Sequence, residues 1–305
     1  MTRRERFGLV AGCLLGWAAA AHGDETPETI LIRQTLANEL SGHRRADVEL
    51  VASAYEQTFT GLDAHGNADP RAWTVVHEGL ARYEEALRQD LAQHRHETAR
   101  AIGSIHVRGD QALVTSRDSG QVVDRATSLA RPLDRRCLWV MRKTEEAWRV
   151  ALRVDALGDT VLPPPASAAP EPALAQLLGD ELSGWNLGKP AQIARHYGER
   201  FVGCTAGASF RPENWIVIFS GAEEFRAFLD RRLDNTSYQI ERVILSTSVS
   251  AQGSDAVVVA RERVTTTHAA GDVVHRQDRH VLWILSRRTG AWKADFVCFG
   301  VVVAE

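Results

Sequence analysis

The sequence predicts an α+β protein that consists of two similar halves. Three observations lead to this prediction: the 305-residue chain repeats itself, each repeat has the pattern of helices followed by strands, and a proline-rich segment separates the repeats. Helices that precede a run of antiparallel strands are typical of α+β domains. The composition, 44% hydrophobic and 25% charged residues, is that of a globular protein.

The internal repeat extends over most of both halves. Residues recur at an offset of 142 positions in the helical part, and two extra residues near Gly253 raise the offset to 144 in the strands. Six of the eight tryptophans form three matching pairs: Trp73 and Trp215, Trp139 and Trp283, and Trp148 and Trp292. A repeat of this length indicates one structural unit that occurs twice.

The first 23 residues predict a secretory signal that is removed from the mature chain. Three arginines form its basic start, residues 7–20 its apolar run and residues 21–23 its cleavage site. A lipoprotein attached at Cys13 and a twin-arginine signal are the alternatives. We therefore expect a periplasmic or secreted protein that has no membrane association once the signal is removed.

The proline-rich segment divides the mature chain. Half of the ten prolines lie between positions 163 and 172, among alanines and a serine. Because proline fixes φ and lacks a backbone donor, this stretch predicts an extended linker. The resulting domains are residues 24–158 (half one) and 173–305 (half two), with a linker at 159–172.

The net charge of −3 and the lack of a basic patch argue against a nucleic-acid partner.

The helices come first in each half. In half one, Thr26-Pro27-Glu28 is a typical helix start, and Ile30, Leu31, Ile32, Leu36 and Leu40 follow at mainly helical spacing. A second short helix is predicted around residues 48–55 and a third around 80–91. Four strands are then predicted in each half: 102–108, 112–117, 136–143 and 148–157, and 243–250, 256–267, 280–287 and 292–303.

The order of these motifs resembles a known family. A short helix ends in Tyr-x₃-Phe-x-Gly, a tryptophan precedes the third helix, and later strands carry Leu-Trp and Ala-Trp. Both halves are similar in this respect to the nuclear transport factor 2-like superfamily, also called SnoaL-like or ketosteroid-isomerase-like. The resemblance implies two cone-shaped domains, each with about three helices on a curved antiparallel sheet and a pocket at its open end. The superfamily contains both enzymes and binding modules, so the fold alone does not give the function.

Large aromatic side chains are the candidates for lining such a pocket. A tryptophan there could stack on a flat ligand and a tyrosine could donate a phenolic proton, whereas the alternative role of both is core packing. The candidates are Tyr55, Trp73, Tyr83, Tyr197, Trp215 and Phe225.

Titratable residues without a counterpart in the other half are candidates for acid–base chemistry. They are Asp63, His65 and His77 in half one, and His268, His275, His280 and Asp295 in half two. The sequence does not show which of them meet. His94-x-His96 predicts no metal site, because the side chains of two residues at i and i+2 on a helix point away from each other. We find no metal or cofactor motif, so neither a metal nor a cofactor is predicted.

Three cysteines remain after signal removal. Cys204 and Cys298 both belong to half two, and an exported protein permits a disulfide between them. Three free buried thiols are the alternative, and Cys137 in half one fits a buried inert thiol.

Two apolar faces on the same strands predict how the halves are arranged. Residues 137–141 and 281–285 are apolar at every position, whereas a strand with one buried face would alternate. We therefore expect the halves to pack sheet against sheet as a pseudo-dimer, although Arg149, Arg153 and Asp155 make one face of the last strand of half one polar.

Two functions from different classes are compatible with these residues. The first is non-catalytic binding of a small apolar molecule or a partner segment. The second is an isomerase or hydro-lyase of the ketosteroid-isomerase or polyketide-cyclase type, with acid–base catalysis in one half. The catalytic residues are not identified by the sequence.

Overall fold

The computed structural model describes residues 26–145, 147–162, 170–268, 273–288 and 290–304. The predicted signal at 1–23, including Cys13, lies outside the described residues, as does the linker between 163 and 169.

Among the described residues, half one contains three α-helices, a short 3-10 helix (Pro70–Ala72) and six strands, and half two has a matching 3-10 helix (Pro212–Asn214). The α-helices and strands of half one are, in chain order, α1 (Pro27–Arg45), α2 (Val48–Ala52), β1 (Tyr55–Asp63), β2 (Thr74–Glu78), α3 (Leu80–Gln93), β3 (His94–Arg108), β4 (Gln111–Asp124), β5 (Ala130–Thr144) and β6 (Ala147–Leu157). Half two repeats this order with α4 (Pro172–Asn186), α5 (Pro190–Ala194), β7 (Tyr197–Thr205), β8 (Ile216–Ser220), α6 (Gly221–Leu233), β9 (Thr236–Val249), β10 (Asp255–His268), β11 (Val273–Ser286) and β12 (Lys293–Phe299). The predicted α+β class is confirmed.

The six strands of each half form one curved sheet. The strand order is β2-β1-β6-β5-β4-β3 in half one and β8-β7-β12-β11-β10-β9 in half two. Neighbours are antiparallel except for β1 with β6 and β7 with β12, which are parallel. The resemblance implied a purely antiparallel sheet. The observed sheets are mixed, because the first strand of each half lies beside the last strand and runs parallel to it.

Two strands of each half are missing from the sequence prediction. β1 and β2, and their counterparts β7 and β8, lie where the sequence indicates only helix ends and a loop. β2 and β8 are five-residue edge strands, too short to give a clear alternation. The prediction also begins β3 eight residues late, because the first eight residues of the strand are mainly polar and Thr98 alone among them is buried.

The start of α1 follows the sequence, but its buried face does not. Thr26 caps the helix, with its side chain accepting a hydrogen bond from the Thr29 amide. Ile32 and Leu36 are buried, whereas Ile30 is 48% exposed and Glu39 is fully buried. The buried stripe of α1 therefore continues through Glu39 to Gly42 and His43, and Leu40 is only partly buried.

An apolar core lies between the two sheets. Leu152 and Val154 of half one and Phe296 of half two belong to it. Trp73 and Trp215 stack across it with ring centroids 6.4 Å apart. The sheets of the two halves thus pack face to face, and the polar face of β6 turns the other way, toward the helices.

Polar contacts with approximate two-fold symmetry border this core. The Ser220 hydroxyl donates to Asp110 Oδ1 at 2.7 Å, and the Ser254 hydroxyl donates to Glu78 Oε2 at 2.6 Å. Ser220 and Glu78 are equivalent in the repeat, as are Asp110 and Ser254. The same two sites of the repeat therefore meet twice, with donor and acceptor exchanged.

In the described part of the chain, no helix combines the length and apolar character needed to cross a membrane.

Cys204 and Cys298 are neighbours in the register of β7 and β12. Both are buried free thiols, as is Cys137.

Candidate functional site

A buried ionic network joins the first helix of each half to its sheet. In half one, Glu39 of α1 accepts hydrogen bonds from the Tyr55 hydroxyl at 2.8 Å and from Arg100 Nη1 at 2.7 Å. Arg100 also binds Asp118 through two nitrogens, at 2.7 and 2.8 Å. The Arg100 guanidinium lies 4.5 Å from the ring centroid of Trp139. Because the repeat preserves this set as Glu181, Tyr197, Arg242, Glu262 and Trp283, the network is a shared feature of both domains.

The network keeps its carboxylates ionised. Burial alone would raise the pKa of Glu39, but the charges of Arg100, His43 and Arg153 outweigh burial and hold it well below its usual range. In half two, burial opposes the charges of Arg242 and Arg279, and the pKa of Glu262 is again lowered. Both domains therefore bury paired charges rather than neutral acids.

Half one has further polar groups in its interior where half two has apolar ones. His43, His77, Tyr83, Arg153 and Asp155 belong to this set. Their counterparts in the repeat are, in the same order, Trp185, Phe219, Phe225, Val297 and Phe299. The substitutions all occur on the side of the sheet that faces the helices. They distinguish the two cones, which otherwise share the same network.

Arg153 is the centre of these additional groups. Its Nη1 donates to the Tyr55 hydroxyl at 2.8 Å and lies 3.3 Å from Glu39 Oε1, and its Nε donates to Asp155 Oδ1 at 2.8 Å. Its side chain is only 4% exposed. The Tyr83 hydroxyl is 3.4 Å from the same Nη1, so two phenols share one guanidinium. Burial of Tyr83 raises the pKa of its phenol to about 12, which keeps it protonated.

Three partly exposed side chains lie close enough to Arg153 to feel its charge: His77, Arg135 and Asp155. We call them the half-one mouth. The side chains of Arg135 and Asp155 are 27% and 28% exposed. Burial opposes the charges of Arg153 and Arg135, which lower the pKa of Asp155 overall. Burial and the nearby charge of Arg153 lower the pKa of His77, so its imidazole is neutral at pH 7.

A glycine makes room for His77 on the edge strand. His77 pairs with Gly61 of β1, where a Cβ would lie 2.9 Å from the imidazole Cδ2. In half two, Gly203 lies in the same way against Phe219, with a corresponding distance of 2.7 Å. The glycine of the Phe-x-Gly motif thus accommodates the ring on the neighbouring strand.

Aromatic rings fill the same region of half two. Phe225 lies within 5.3 Å, between ring centroids, of Tyr197, Phe201 and Phe219. Phe228 extends this cluster beside Phe219, at 4.9 Å. Half two therefore replaces the polar interior of half one with packed rings.

The structure separates the six predicted pocket residues into three groups. Tyr55 and Tyr83 belong to the polar interior of half one, Tyr197 and Phe225 to the aromatic cluster of half two. Trp73 and Trp215 lie in the core between the sheets.

Of the titratable candidates that the sequence predicts, His77 belongs to the half-one mouth, near Arg153 and Asp155. Asp63 is the last residue of β1 and His65 lies on the turn that follows, with Asp63 Oδ1 and His65 Nδ1 3.6 Å apart and both side chains partly exposed. The half-two candidates are not brought together: His268 and His275 are exposed strand residues, His280 is partly buried near Arg71, and Asp295 lies 4.0 Å from Arg288.

Sequence reasoning did not select Arg135, Arg153 and Asp155 for the site. Arg153 and Asp155 were noticed only as a polar strand face. The sequence does distinguish these two residues, because the apolar residues Val297 and Phe299 occupy the matching positions in half two. Comparison of every position across the repeat, rather than of histidines and acids alone, would have found both residues.

The two histidines predicted to point apart in fact converge. His94 and His96 lie on β3 rather than on a helix, and they contact Asp90 at 2.8 and 2.6 Å. Strand residues two apart lie on one face, which explains the difference. Within the described ranges, no group of three or more histidine, cysteine, aspartate or glutamate residues could hold a metal ion.

Comparisons with known proteins give structural similarities only. No protein-family model matches the sequence, and no curated protein matches it. A solved ketosteroid isomerase-like protein from Erwinia carotovora atroseptica is 20% identical, over 43% of this chain and 95% of that one, with a TM-score of 0.37. NTF2-like proteins of unknown function from Shewanella oneidensis and Pseudomonas putida are 15% and 14% identical. They cover 42% and 43% of this chain and 98% and 84% of their own, with TM-scores of 0.33 and 0.32.

Each of these proteins matches less than half of the chain. The chain itself presents the same order of three helices and six strands twice, in two sheets of identical strand order. It is therefore a tandem pair of α+β domains that share one fold.

Proposed function

We propose that the protein binds a small molecule at the half-one mouth, without catalysis, and that half two is its structural partner. The observation that carries the proposal is the replacement of polar interior groups of half one by aromatic and aliphatic ones in half two. Packed rings such as Phe219 and Phe225 leave half two with an interior suited to stability. His77, Arg135 and Asp155 give half one partly exposed polar groups beside the buried Arg153, and a few convergent polar groups are typical of a ligand-binding site.

Binding without reaction agrees with the state of the deeper groups. Glu39 already accepts hydrogen bonds from Arg100, Arg153 and Tyr55. Arg153 also donates a hydrogen bond to Asp155. These groups hold one another in position. A proton transfer by Glu39 or Arg153 would break the hydrogen bonds and ion pairs that join them. A mainly apolar molecule that presents one polar end to the mouth fits this arrangement.

Native mass spectrometry of protein purified from its own host tests the proposal. We expect the wild type to retain a bound mass, and His77→Phe, which introduces the half-two residue, to lose it. His65→Phe is the matched control, because His65 lies on an exposed turn, and it should retain the mass. An empty wild type, or equal retention in both variants, would reject the proposal. A retained peptide would replace the small molecule by a partner segment.

Acid–base catalysis in half one is the second candidate function. It is favoured by one observation, the neutral imidazole of His77 with its ring centroid 5.2 Å from that of the protonated Tyr83. A neutral histidine beside a phenol can accept a proton from a carbon next to a carbonyl while the phenol donates. If the retained molecule is converted, His77→Gln should abolish conversion and leave retention measurable. A molecule recovered unchanged after prolonged incubation argues against catalysis.

We also propose that the mature protein acts outside the cytoplasm, on the basis of the predicted signal. Cell fractionation followed by N-terminal sequencing tests this. A chain that begins at Asp24 supports secretory cleavage, and a lipid-modified chain that begins at Cys13 supports the lipoprotein alternative. An intact Met1 in the cytoplasm would refute export.

A further inference from the structure

A short segment of half two lies against half one. β12 is followed by Gly300, whose φ of 74° is a left-handed conformation that redirects the chain. Residues 301–304, which we call the strap, then reach the connection between β1 and β2 of half one. Val301 and Val303 are buried in the core between the sheets, whereas Val302 is only partly buried. This alternation is that of an extended segment with one face turned inward.

Two charged residues of half one bind the main chain of Ala304. Asp69 Oδ2 accepts a hydrogen bond from the Ala304 amide at 2.9 Å, and Arg71 Nη2 donates to the Ala304 carbonyl at 2.7 Å. One ion pair thus binds both main-chain groups of one residue. Main-chain hydrogen bonds give affinity for an extended peptide, and the side chains that it buries give selectivity.

Asp69 and Arg71 are oriented by contacts within half one. Asp69 is fully buried, and its Oδ1 accepts from the Arg71 amide at 2.9 Å. The Arg71 side chain donates to Asp69 Oδ2 through Nε at 3.0 Å and through Nη2 at 2.6 Å. The Asn67 side chain accepts from the Asp69 amide at 2.9 Å. Because none of these contacts involves the strap, the ion pair is already arranged for a ligand, which lowers the cost of binding.

The same positions of half two have another role. The repeat places Arg211 and Glu213 where half one has Asp69 and Arg71. Both oxygens of Glu213 accept from Arg136 Nη2 of half one, at 2.8 and 2.9 Å. This position of half two therefore joins two side chains, whereas that of half one binds main-chain groups. Because half two forms the same fold without the Asp69–Arg71 pair, the fold does not require this pair.

We propose that Asp69 and Arg71 form a peptide-recognition site and that the strap is its intramolecular ligand. The ligand class is an extended peptide with β-branched apolar residues one and three positions before the residue that the ion pair binds. Covalent attachment gives the strap a high effective concentration, on the order of mM for a short tether, so a free peptide competes weakly while the strap is in place. The site includes none of the residues of the half-one mouth and is independent of the proposed function.

Peptide binding to the full mature chain tests this site. Val303→Asp places a charge in an apolar core and should detach the strap. Val302→Asp is the matched control, because it is the same change on the partly exposed neighbour. The probe is a fluorescein-labelled peptide with the sequence of residues 300–305, and its binding is followed by fluorescence anisotropy. A second peptide carries an N-methyl group on Ala304, which removes the donor to Asp69.

The unmethylated peptide should bind Val303→Asp about tenfold or more tightly than it binds the wild type or Val302→Asp, since the strap no longer competes. The methylated peptide should bind Val303→Asp about tenfold or more weakly than the unmethylated one, as expected for a lost hydrogen bond to a charged acceptor.

Two arginine variants test the protein side of the same contact. Adding Arg71→Met to Val303→Asp should also abolish tight binding, because the donor to the main-chain carbonyl is removed. Adding Arg211→Met should not, because Arg211 is exposed and lies over the ring of Phe210. If circular dichroism shows that Val303→Asp does not fold, Val303→Ser weakens the strap more mildly and takes its place.

Three outcomes overturn the inference. The first is equal binding of the peptide to the wild type and to the folded Val303 variant, which would make the strap a fixed part of the fold. The second is tight binding that survives both N-methylation and Arg71→Met, which would reduce the interaction to apolar contact. The third is a Val302→Asp chain that binds the peptide as tightly as Val303→Asp does, so that the added charge rather than the lost buried valine explains the binding.

Discussion

Replacing Glu39 by glutamine should destabilise the protein far more than the same change at Glu181. Both residues lie in the first helix of their domain and are nearly inaccessible to solvent. Glu39 accepts from two arginines, Arg100 and Arg153, whereas Glu181 is paired with the single arginine Arg242. The two variants therefore form a matched pair within one molecule.

The magnitude follows from how many arginines lose a carboxylate. Each arginine keeps a second one, because Arg100 still binds Asp118, Arg153 still binds Asp155 and Arg242 still binds Glu262. In Glu39→Gln, the amide nitrogen faces the donors of Arg100 and Arg153, and the loss of one partner from a buried ion pair costs about 3–5 kcal/mol. In Glu181→Gln, Arg242 keeps two hydrogen-bond-length contacts with Glu262. We expect a cost of about 1–3 kcal/mol, that of hydrogen bonds to a charged group.

Urea unfolding of the mature chain, followed by tryptophan fluorescence at pH 7, measures both costs. The difference between wild type and Glu39→Gln should also shrink in acid. Because the folded pKa of Glu39 is lowered from 4.5, its contribution is complete above pH 4.5 and falls as pH drops toward the folded value. A Glu39→Gln cost below about 1 kcal/mol, or one equal to that of Glu181→Gln, would refute the reasoning.

Three further predictions concern other parts of the molecule. Asp90→Asn should cost about 1 kcal/mol at pH 7, and in a pH series this cost should disappear between 3.8 and about 2, where the wild-type carboxylate becomes protonated. Fragments 24–160 and 170–305 each expose an apolar sheet face, so they should associate when mixed in size-exclusion chromatography, and two inert monomers would contradict the shared core. Alkylation of the unfolded mature chain without reductant should add three labels by mass spectrometry, and a single label would mean that the Cys204–Cys298 disulfide forms.

Much of the fold could be predicted because it depends on local patterns. The helix start at Thr26, the order of helices and strands and the repeat itself are all visible in residue spacing. β2 was not predicted, because a five-residue edge strand with a polar composition carries little periodicity. The polar start of β3 was missed for the same reason, and with it the meeting of His94 and His96 at Asp90.

Much less of the site could be predicted. His77 was selected because it has no counterpart in half two, and it does lie at the half-one mouth. By its sequence alone, Arg153 indicates only a polar face on the last strand of half one, which argues against sheet–sheet packing there. The contacts of its strand show instead that Arg153 faces the helices, while Leu152 and Val154 face the other half.

The sequence by itself determined that the chain has two α+β domains of one kind, with strands that are apolar on both faces. These properties depend on periodicity and on repetition, and both are features of residue order. Only the tertiary structure decided which buried charges meet, because Glu39 and Arg153 are 114 positions apart. It also decided that Asp118 gives both oxygens to Arg100 and that Arg135 Nε finds no acceptor among the described residues. Side-chain reach in three dimensions sets such pairings, and a difference of one methylene between Asp118 and Glu262 has no trace in local periodicity.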